Sequence, residues 1–141
     1  MSNQRIFSVE TRGQGLYEFT DGVRRFVSKN SIESGLLTLF VRHTSCSILI
    51  QENADPSVQY DLDKFLSKLI PDGRHPSMNW LTHTQEGPDD MPAHIKSALL
   101  PTSISIPIME GELVLGTWQG LYLFEHRRAA MTRQIAAHIS G

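Results

Sequence analysis

A chain of 141 residues is the size of one domain with room for a real core, and 40% hydrophobic against 20% charged residues reads as globular. A formal net charge of -2 leaves no basic footprint for nucleic acid, and no apolar stretch reaches the length that spans a bilayer. With no apolar signal core behind Met1-Ser2-Asn3-Gln4-Arg5 and a single cysteine, Cys46, the expectation is a cytoplasmic protein that engages neither nucleic acid nor membrane.

Residues 5–11 and 16–19 predict two short strands joined as a hairpin through Gly13 and Gly15, which permit tight turns. Thr20 or Asp21 then caps a short helix carrying Val23, Phe26 and Val27 on one side, ending before Ser34-Gly35. Next, Leu37, Leu39 and Val41 alternate with Thr38, Phe40 and Arg42, so a period of two places His43 at the strand's end on the aliphatic face. A polar turn at Thr44-Ser45 leads into the apolar run 46–50.

Asp55-Pro56 is the strongest helix start, because Asp accepts hydrogen bonds from free amides and Pro suits the first helical position. Val58, Leu62, Phe65, Leu66 and Leu69 follow as an apolar stripe, and Pro71-Asp72-Gly73 stops it. A second helix is expected over about 90–100, with Met91, Ile95 and Leu99 at four-residue intervals and Pro101 as its stop. Residues 103–108, 113–117 and 120–125 read as closely spaced strands. Over 129–139 a helical and a strand period both fit; the strand reading, with Met131, Arg133, Ile135, Ala137 and Ile139 on one face, is preferred. These elements predict a single α+β domain over 1–141, a predominantly antiparallel β-sandwich with two or three flanking helices.

The densest chemistry lies between two of these elements, in His83-Thr84-Gln85-Glu86-Gly87-Pro88-Asp89-Asp90-Met91-Pro92-Ala93-His94, which suits an ordered loop around a metal ion or an anionic substrate. His43 ends one strand, His94 sits on a helix, and His126 ends the strand 120–125 on the face of Tyr122 and Phe124, so with His83 four histidines could converge. Zinc typically takes imidazole ligands and leaves an open position when the site is catalytic. The spacing carries no HExxH or CxxC arrangement, so the fold would have to supply the geometry.

Plainer readings compete. Asp55 and one of Asp89 or Asp90 serve as helix caps; His75 and His138 are solvated; Trp118 and Tyr122 pack; Arg127-Arg128 either meets phosphate or faces water. Cys46 follows His43 by three residues, but an extended strand puts the two side chains on opposite faces, and a lone cysteine in an apolar run is a small core residue.

The segments His43-Thr44-Ser45-Cys46-Ser47, Gln51-Glu52-Asn53-Ala54-Asp55-Pro56, the run from His83 through Lys96, Gly116-Thr117-Trp118-Gln119-Gly120 and Glu125-His126-Arg127 resemble the YjbQ-like family over almost the whole chain. That resemblance implies a small sheet-rich fold that assembles as a homotrimer, with polar pockets suited to a metal or anion. It also implies a secondary thiamine-phosphate synthase, which joins a pyrimidine methyl diphosphate to a thiazole phosphate and releases pyrophosphate. Stabilising the departing diphosphate calls for a divalent cation, zinc or magnesium, and basic groups. On this reading His83, His94 and His126 are the metal ligands and His43 is a fourth ligand or proton donor. Glu86 and Asp89 are acid/base candidates, and Asn53, Lys96, Trp118, Gln119 and Arg127 contact a small phosphorylated substrate. A metal-dependent hydrolase using Glu86 as base, and a non-catalytic metal- or ligand-binding protein, are the alternatives.

Overall fold

Short runs of alternating aliphatic and polar residues build eight strands, and three segments with helical spacing pack around them. The computed structural model describes residues 2–141. In chain order the elements are β1 (Gln4–Arg12), β2 (Gly15–Glu18), α1 (Thr20–Lys29), β3 (Ser34–Val41), β4 (Cys46–Glu52), α2 (Pro56–Leu69), a 3-10 turn (Pro76–Met78), α3 (Asp90–Leu99), β5 (Ser103–Met109), β6 (Glu112–Leu113), β7 (Gln119–Glu125) and β8 (Ala130–Ser140). All strand pairs are antiparallel, in a five-stranded sheet of order β1-β8-β3-β5-β6 and a three-stranded sheet of order β2-β7-β4. The fold is α+β, as expected.

The two sheets close on one core. Leu37, Leu39 and Val41 of β3 and Ile135, Ala137 and Ile139 of β8 pack with Ile48 of β4 and Leu121 and Leu123 of β7, while Val23, Phe26 and Val27 of α1 join the same cluster. A second cluster, Leu66, Ile70, Met78 and Phe124, seats α2 and the following loop on the other side of β7. Residues 120–125 are therefore buried on both faces of β7. Burying a side chain such as Phe124 stabilises by about 1.5–3 kcal/mol, so this strand is a firm anchor for whatever follows it.

The preferred strand reading of the C-terminal segment holds, with Arg133, Ile135, Ala137 and Ile139 buried on one face of β8. Asp55 caps α2, its carboxylate accepting from the Ser57 N–H at 2.9 Å. Three expectations need correction. Strands β1 and β2 do not form a hairpin with each other: β1 pairs with β8 and β2 with β7, so the Gly13–Gly15 turn hands the chain from one sheet to the other. Gly13 and Gly15 have φ of 125° and 144°, and Tyr17 clamps the turn by accepting from the Arg12 N–H and donating to the Gly13 carbonyl. Thr20 does not cap α1 through its side chain; its hydroxyl donates to Glu18 and accepts from the Leu121 N–H, tying the helix start to β7. The expected strand over 113–117 shrinks to Glu112–Leu113, because the chain leaves the sheet after Val114 and closes a turn in which Gln119 accepts from the Gly116 N–H. On α2, Leu66 is buried while Phe65 and Leu69 are exposed, so the apolar stripe is only partly covered within one chain.

Candidate metal centre

Helix α3 places residues four apart on one face, and its first turn carries Asp90 with His94 one turn later. The loop before it brings in His83. Its path is fixed by the Gly73 N–H donating to the Pro88 carbonyl at 2.8 Å, and a Cβ on Gly73 would lie 3.0 Å from that same oxygen. His83 Nε2 then stands 2.8 Å from Asp90 Oδ2 and 3.0 Å from a Glu86 carboxylate oxygen, and His94 Nε2 stands 3.4 Å from Asp90 Oδ2. One donor atom from each of His83, Asp90 and His94 lies within 4.8 Å of the others.

Hydrogen bonds behind these atoms set their direction. His94 Nδ1–H donates to the Thr44 carbonyl at 3.0 Å, which leaves the lone pair on Nε2, facing the group. A backbone carbonyl behind the distal ring nitrogen is the usual support of a metal-ligating histidine. Asp90 is buried and divides its oxygens: Oδ2 faces the imidazoles, while Oδ1 accepts from Arg127 Nη1 at 2.7 Å. The same guanidinium donates through Nε to Asp89 at 3.0 Å and through Nη2 to the Glu86 carbonyl at 3.1 Å. Two imidazoles, one carboxylate and a solvent-facing side where His83 is half exposed fit a borderline divalent ion with open positions. An ion held by this group would lie between His83 Nε2 and Asp90 Oδ2, which are 2.8 Å apart, and ligation would require His83 Nε2 to be unprotonated.

Several residues read from the sequence as site members stand elsewhere. His126 does not join His83 and His94. It lies on the face of Tyr122 and Phe124, as alternation required, but the helical layer covers that face. His126 is 1% exposed, with Nε2 2.9 Å from the Ser47 hydroxyl and Nδ1 unpartnered. Burial, reinforced by Lys96 and Arg133, pushes its pKa down to about 3. Asp90 occupies the place expected for His126.

His43 accepts from the Gln134 N–H through Nε2 at 2.8 Å, so its neutral ring carries the proton on Nδ1 and has no free lone pair for a metal. Burial and then Arg133 hold its pKa below the ordinary range, which disfavours a resident proton donor. It lines a cavity of about 270 Å³ with Thr44, His94 and Ser97, adjacent to the His83–Asp90–His94 group rather than in it.

Asp89 is neither a side-chain cap nor a free base. Its Oδ2 accepts from Arg127 Nε and from the Arg128 N–H; burial works to raise its pKa, and these bonds outweigh it and keep the carboxylate ionised. Arg127, expected on a substrate phosphate, is committed to Asp89, Asp90 and Glu86. Lys96 comes two residues after His94, about 200° around the helix, and points into a different cavity.

Asn53, Trp118 and Gln119 lie at the opposite end of β7 from His126 and Arg127, about 20 Å away along six residues of strand. There Asn53 Nδ2 donates to Glu18 at 3.4 Å, Trp118 is exposed, and Gln119 closes its own turn. Glu86 is the one proposed acid/base residue that the chain itself brings beside the ligand atoms.

Asp90 is the member of the group that sequence reasoning passed over as a cap. Its signal was the four-residue spacing to His94, which puts a carboxylate and an imidazole on one helical face. Beside His83 opens a cavity of about 270 Å³ whose walls include Leu81, Thr84, Met91 and Pro92. Cys46 is fully buried and its thiol is pushed up to about 12, chiefly by burial, so it is a core residue and no nucleophile.

Residues 5–141 match the family model described as UPF0047 protein YjbQ-like. The UPF0047 protein sll1880 of Synechocystis sp. is 48% identical over 140 residues, covering 99% of this chain and 92% of that one. YjbQ of Escherichia coli O157:H7 is 36% identical, covering 98% and 97% respectively. Among solved structures, hypothetical protein APE1520 of Aeropyrum pernix K1 superposes with a TM-score of 0.86 at 25% identity, covering 99% of both chains. An uncharacterised conserved protein of Clostridium acetobutylicum gives 0.80 at 31% identity over 96% of this chain and 99% of that one.

Proposed function

The chain belongs to the YjbQ-like family, and from the site its fold builds we propose a metal-dependent enzyme acting on a small phosphorylated substrate, with His83, Asp90 and His94 as the ligand set. One observation carries the reading: three donor atoms of suitable chemistry within 4.8 Å of one another, each oriented by a bond to protein behind it or beside it. A bound divalent ion supplies Lewis acidity to a departing or attacked phosphate oxygen. The chain supplies the rest. Arg127 holds Asp90 in place, Thr44 holds the His94 tautomer, and the Leu81 and Met91 walls offer an apolar bed for a ring next to the charge.

The specific activity proposed is thiamine-phosphate synthesis from a pyrimidine methyl diphosphate and a thiazole phosphate. The test incubates both substrates with protein loaded with zinc or magnesium and measures pyrophosphate release. Turnover that requires the ion and is lost in His83→Ala and His94→Ala supports the reading; turnover indifferent to chelation and to both substitutions overturns it. A second reading, metal-dependent hydrolysis, is favoured by Glu86, whose carboxylate lies beside the ligand atoms where a base would deprotonate a water. Hydrolysis of a phosphate monoester without any thiazole partner, reduced in Glu86→Gln, would select it.

We further propose that the protein assembles as a homotrimer. Ile6, Ala136 and Phe40 sit side by side across β1, β8 and β3, and Ile6 and Phe40 are exposed, forming an apolar row on the outer face of the five-stranded sheet. Sedimentation at micromolar concentration tests this, and a monomer would overturn it.

A further inference from the structure

On the far side of α3 from the histidine group, Lys96 is buried to 4% exposure. Among the described residues its ammonium has no hydrogen-bond partner and no carboxylate oxygen within 4.0 Å. The Lys96 side chain is largely buried but its ammonium is not sealed off from solvent, so it meets water through the cavity it lines, where an oxyanion could take that water's place. Lys96 lines a cavity of about 230 Å³ with Gln14, Asp72, His75, Asp89 and Arg128. At about 30 Å³ per water, that is room for an oxyanion and a small group attached to it.

The charges around the cavity are unevenly satisfied. Asp89 is taken by Arg127 and by the Arg128 N–H, and Asp72 by the Arg128 guanidinium and the Arg74 N–H. His75 accepts the Ser77 N–H through Nδ1, which leaves Nε2–H as its free donor. Asp63 is the remaining carboxylate that Lys96 feels, and it lies beyond ion-pair distance. Of the cations lining this cavity, Lys96 is therefore the one without a carboxylate in direct contact.

We propose that this cavity is a second binding site, specific for a phosphate or phosphate-monoester oxyanion, with the Lys96 ammonium as its principal charge and Arg128 and His75 as flanking donors. It stands apart from the proposed metal centre and requires no ion there. Lys96 was expected on a substrate phosphate at the histidine site; the helix turns it away from that group and toward this cavity.

The test is titration of chelator-treated protein with inorganic phosphate and, separately, with glycerol phosphate, followed by calorimetry and phosphorus NMR. The wild-type chain should bind saturably, and Lys96→Met should bind roughly ten- to a hundredfold more weakly, the range expected for loss of a charge-assisted hydrogen bond. Asp63→Asn should tighten binding several-fold by removing the distant competing carboxylate. Lys96→Met removes a largely buried cation that has no direct ion pair, so its thermal midpoint should hold; should it fail to fold, Arg128→Gln, on a half-exposed residue, must weaken binding instead. Binding of the monoester as tight as that of free phosphate assigns the site to a phosphorylated metabolite, and preference for free phosphate assigns it to the inorganic ion. No saturable binding to the wild type at tens of millimolar, or equal binding by Lys96→Met, overturns the proposal. Because the chelator removes any metal, failure here leaves the metal reading intact, and failure of the metal reading leaves this one intact.

Discussion

Arg127→Met separates the structural from the chemical part of the histidine site. The substitution keeps most of the side chain's length but removes the donors to Asp89 Oδ2, Asp90 Oδ1 and the Glu86 carbonyl. The Asp89 and Asp90 side chains are only 11% and 5% exposed, so each would remain a buried carboxylate with one cation fewer. Stranding a buried charge of this kind costs about 3–5 kcal/mol, and the effect should appear in urea unfolding followed by far-UV circular dichroism at fixed protein concentration, with chelator present. The pH dependence has a definite sign. In the wild type, burial raises the Asp89 carboxyl and the Arg128 and Arg127 bonds bring it below its ordinary value, so its contribution is present above an unfolded pKa near 3.9 and is lost as pH falls through the folded value. Without Arg127, burial weighs more heavily and the folded pKa rises. The penalty is then largest at pH 7 and shrinks on acidification as Asp89 takes up a proton. Metal affinity should fall about 10–100-fold, since Asp90 loses the bond that aims it. Arg127→Lys should not restore it, because one ammonium cannot reproduce three directed donors. A variant within 1 kcal/mol of wild type at pH 7, with unchanged metal affinity, would refute the reasoning.

Three further outcomes follow from the same geometry. His83→Ala or His94→Ala should abolish near-stoichiometric zinc, measured by elemental analysis after dialysis, while leaving the chelator-treated fold intact; retained metal would sink the ligand assignment. His126 has a folded pKa of about 3 against an unfolded value near 6.5, so the unfolded chain binds more protons between those pH values and stability falls on acidification, by up to roughly 1.4 kcal/mol per pH unit. His126→Gln, which can still bond Ser47, should flatten the slope between pH 6 and 4; an identical slope would show that another group dominates. Cys46 should resist iodoacetamide in the native state at pH 8 and react only on unfolding, and prompt native labelling would contradict its burial.

Much of the fold was legible because it rests on local rules: the alternation of β8, the Asp55-Pro56 helix start, and the four-residue spacing on α3. What the sequence could not show was which strand lies beside which. Residues 5–19 look like a hairpin by turn chemistry alone, yet each strand finds its partner more than a hundred residues away, because the Gly13–Gly15 turn joins two sheets. His126 failed for a related reason. Alternation placed it on the correct face of β7, but only the packing of the helical layer decides whether that face meets water or Phe124 and Lys96. Arg127 was legible as a charge and not as a brace, since its partners sit 37, 38 and 41 residues away.

Asp90 shows how the brace and the proposed ion site depend on one another. Its Oδ1 belongs to Arg127 and its Oδ2 to the two imidazoles, so the loop carrying His83, the start of α3 and the end of β7 meet at one carboxylate. A carboxylate already sharing its charge with a guanidinium through Oδ1 is a weaker attraction at Oδ2 for a hard cation that relies on carboxylate oxygens. Two imidazoles, in contrast, favour a borderline ion. Under the proposed reading the site therefore prefers zinc to magnesium. Magnesium would enter chiefly as the companion of a substrate diphosphate, held by the substrate's oxygens more than by the protein's.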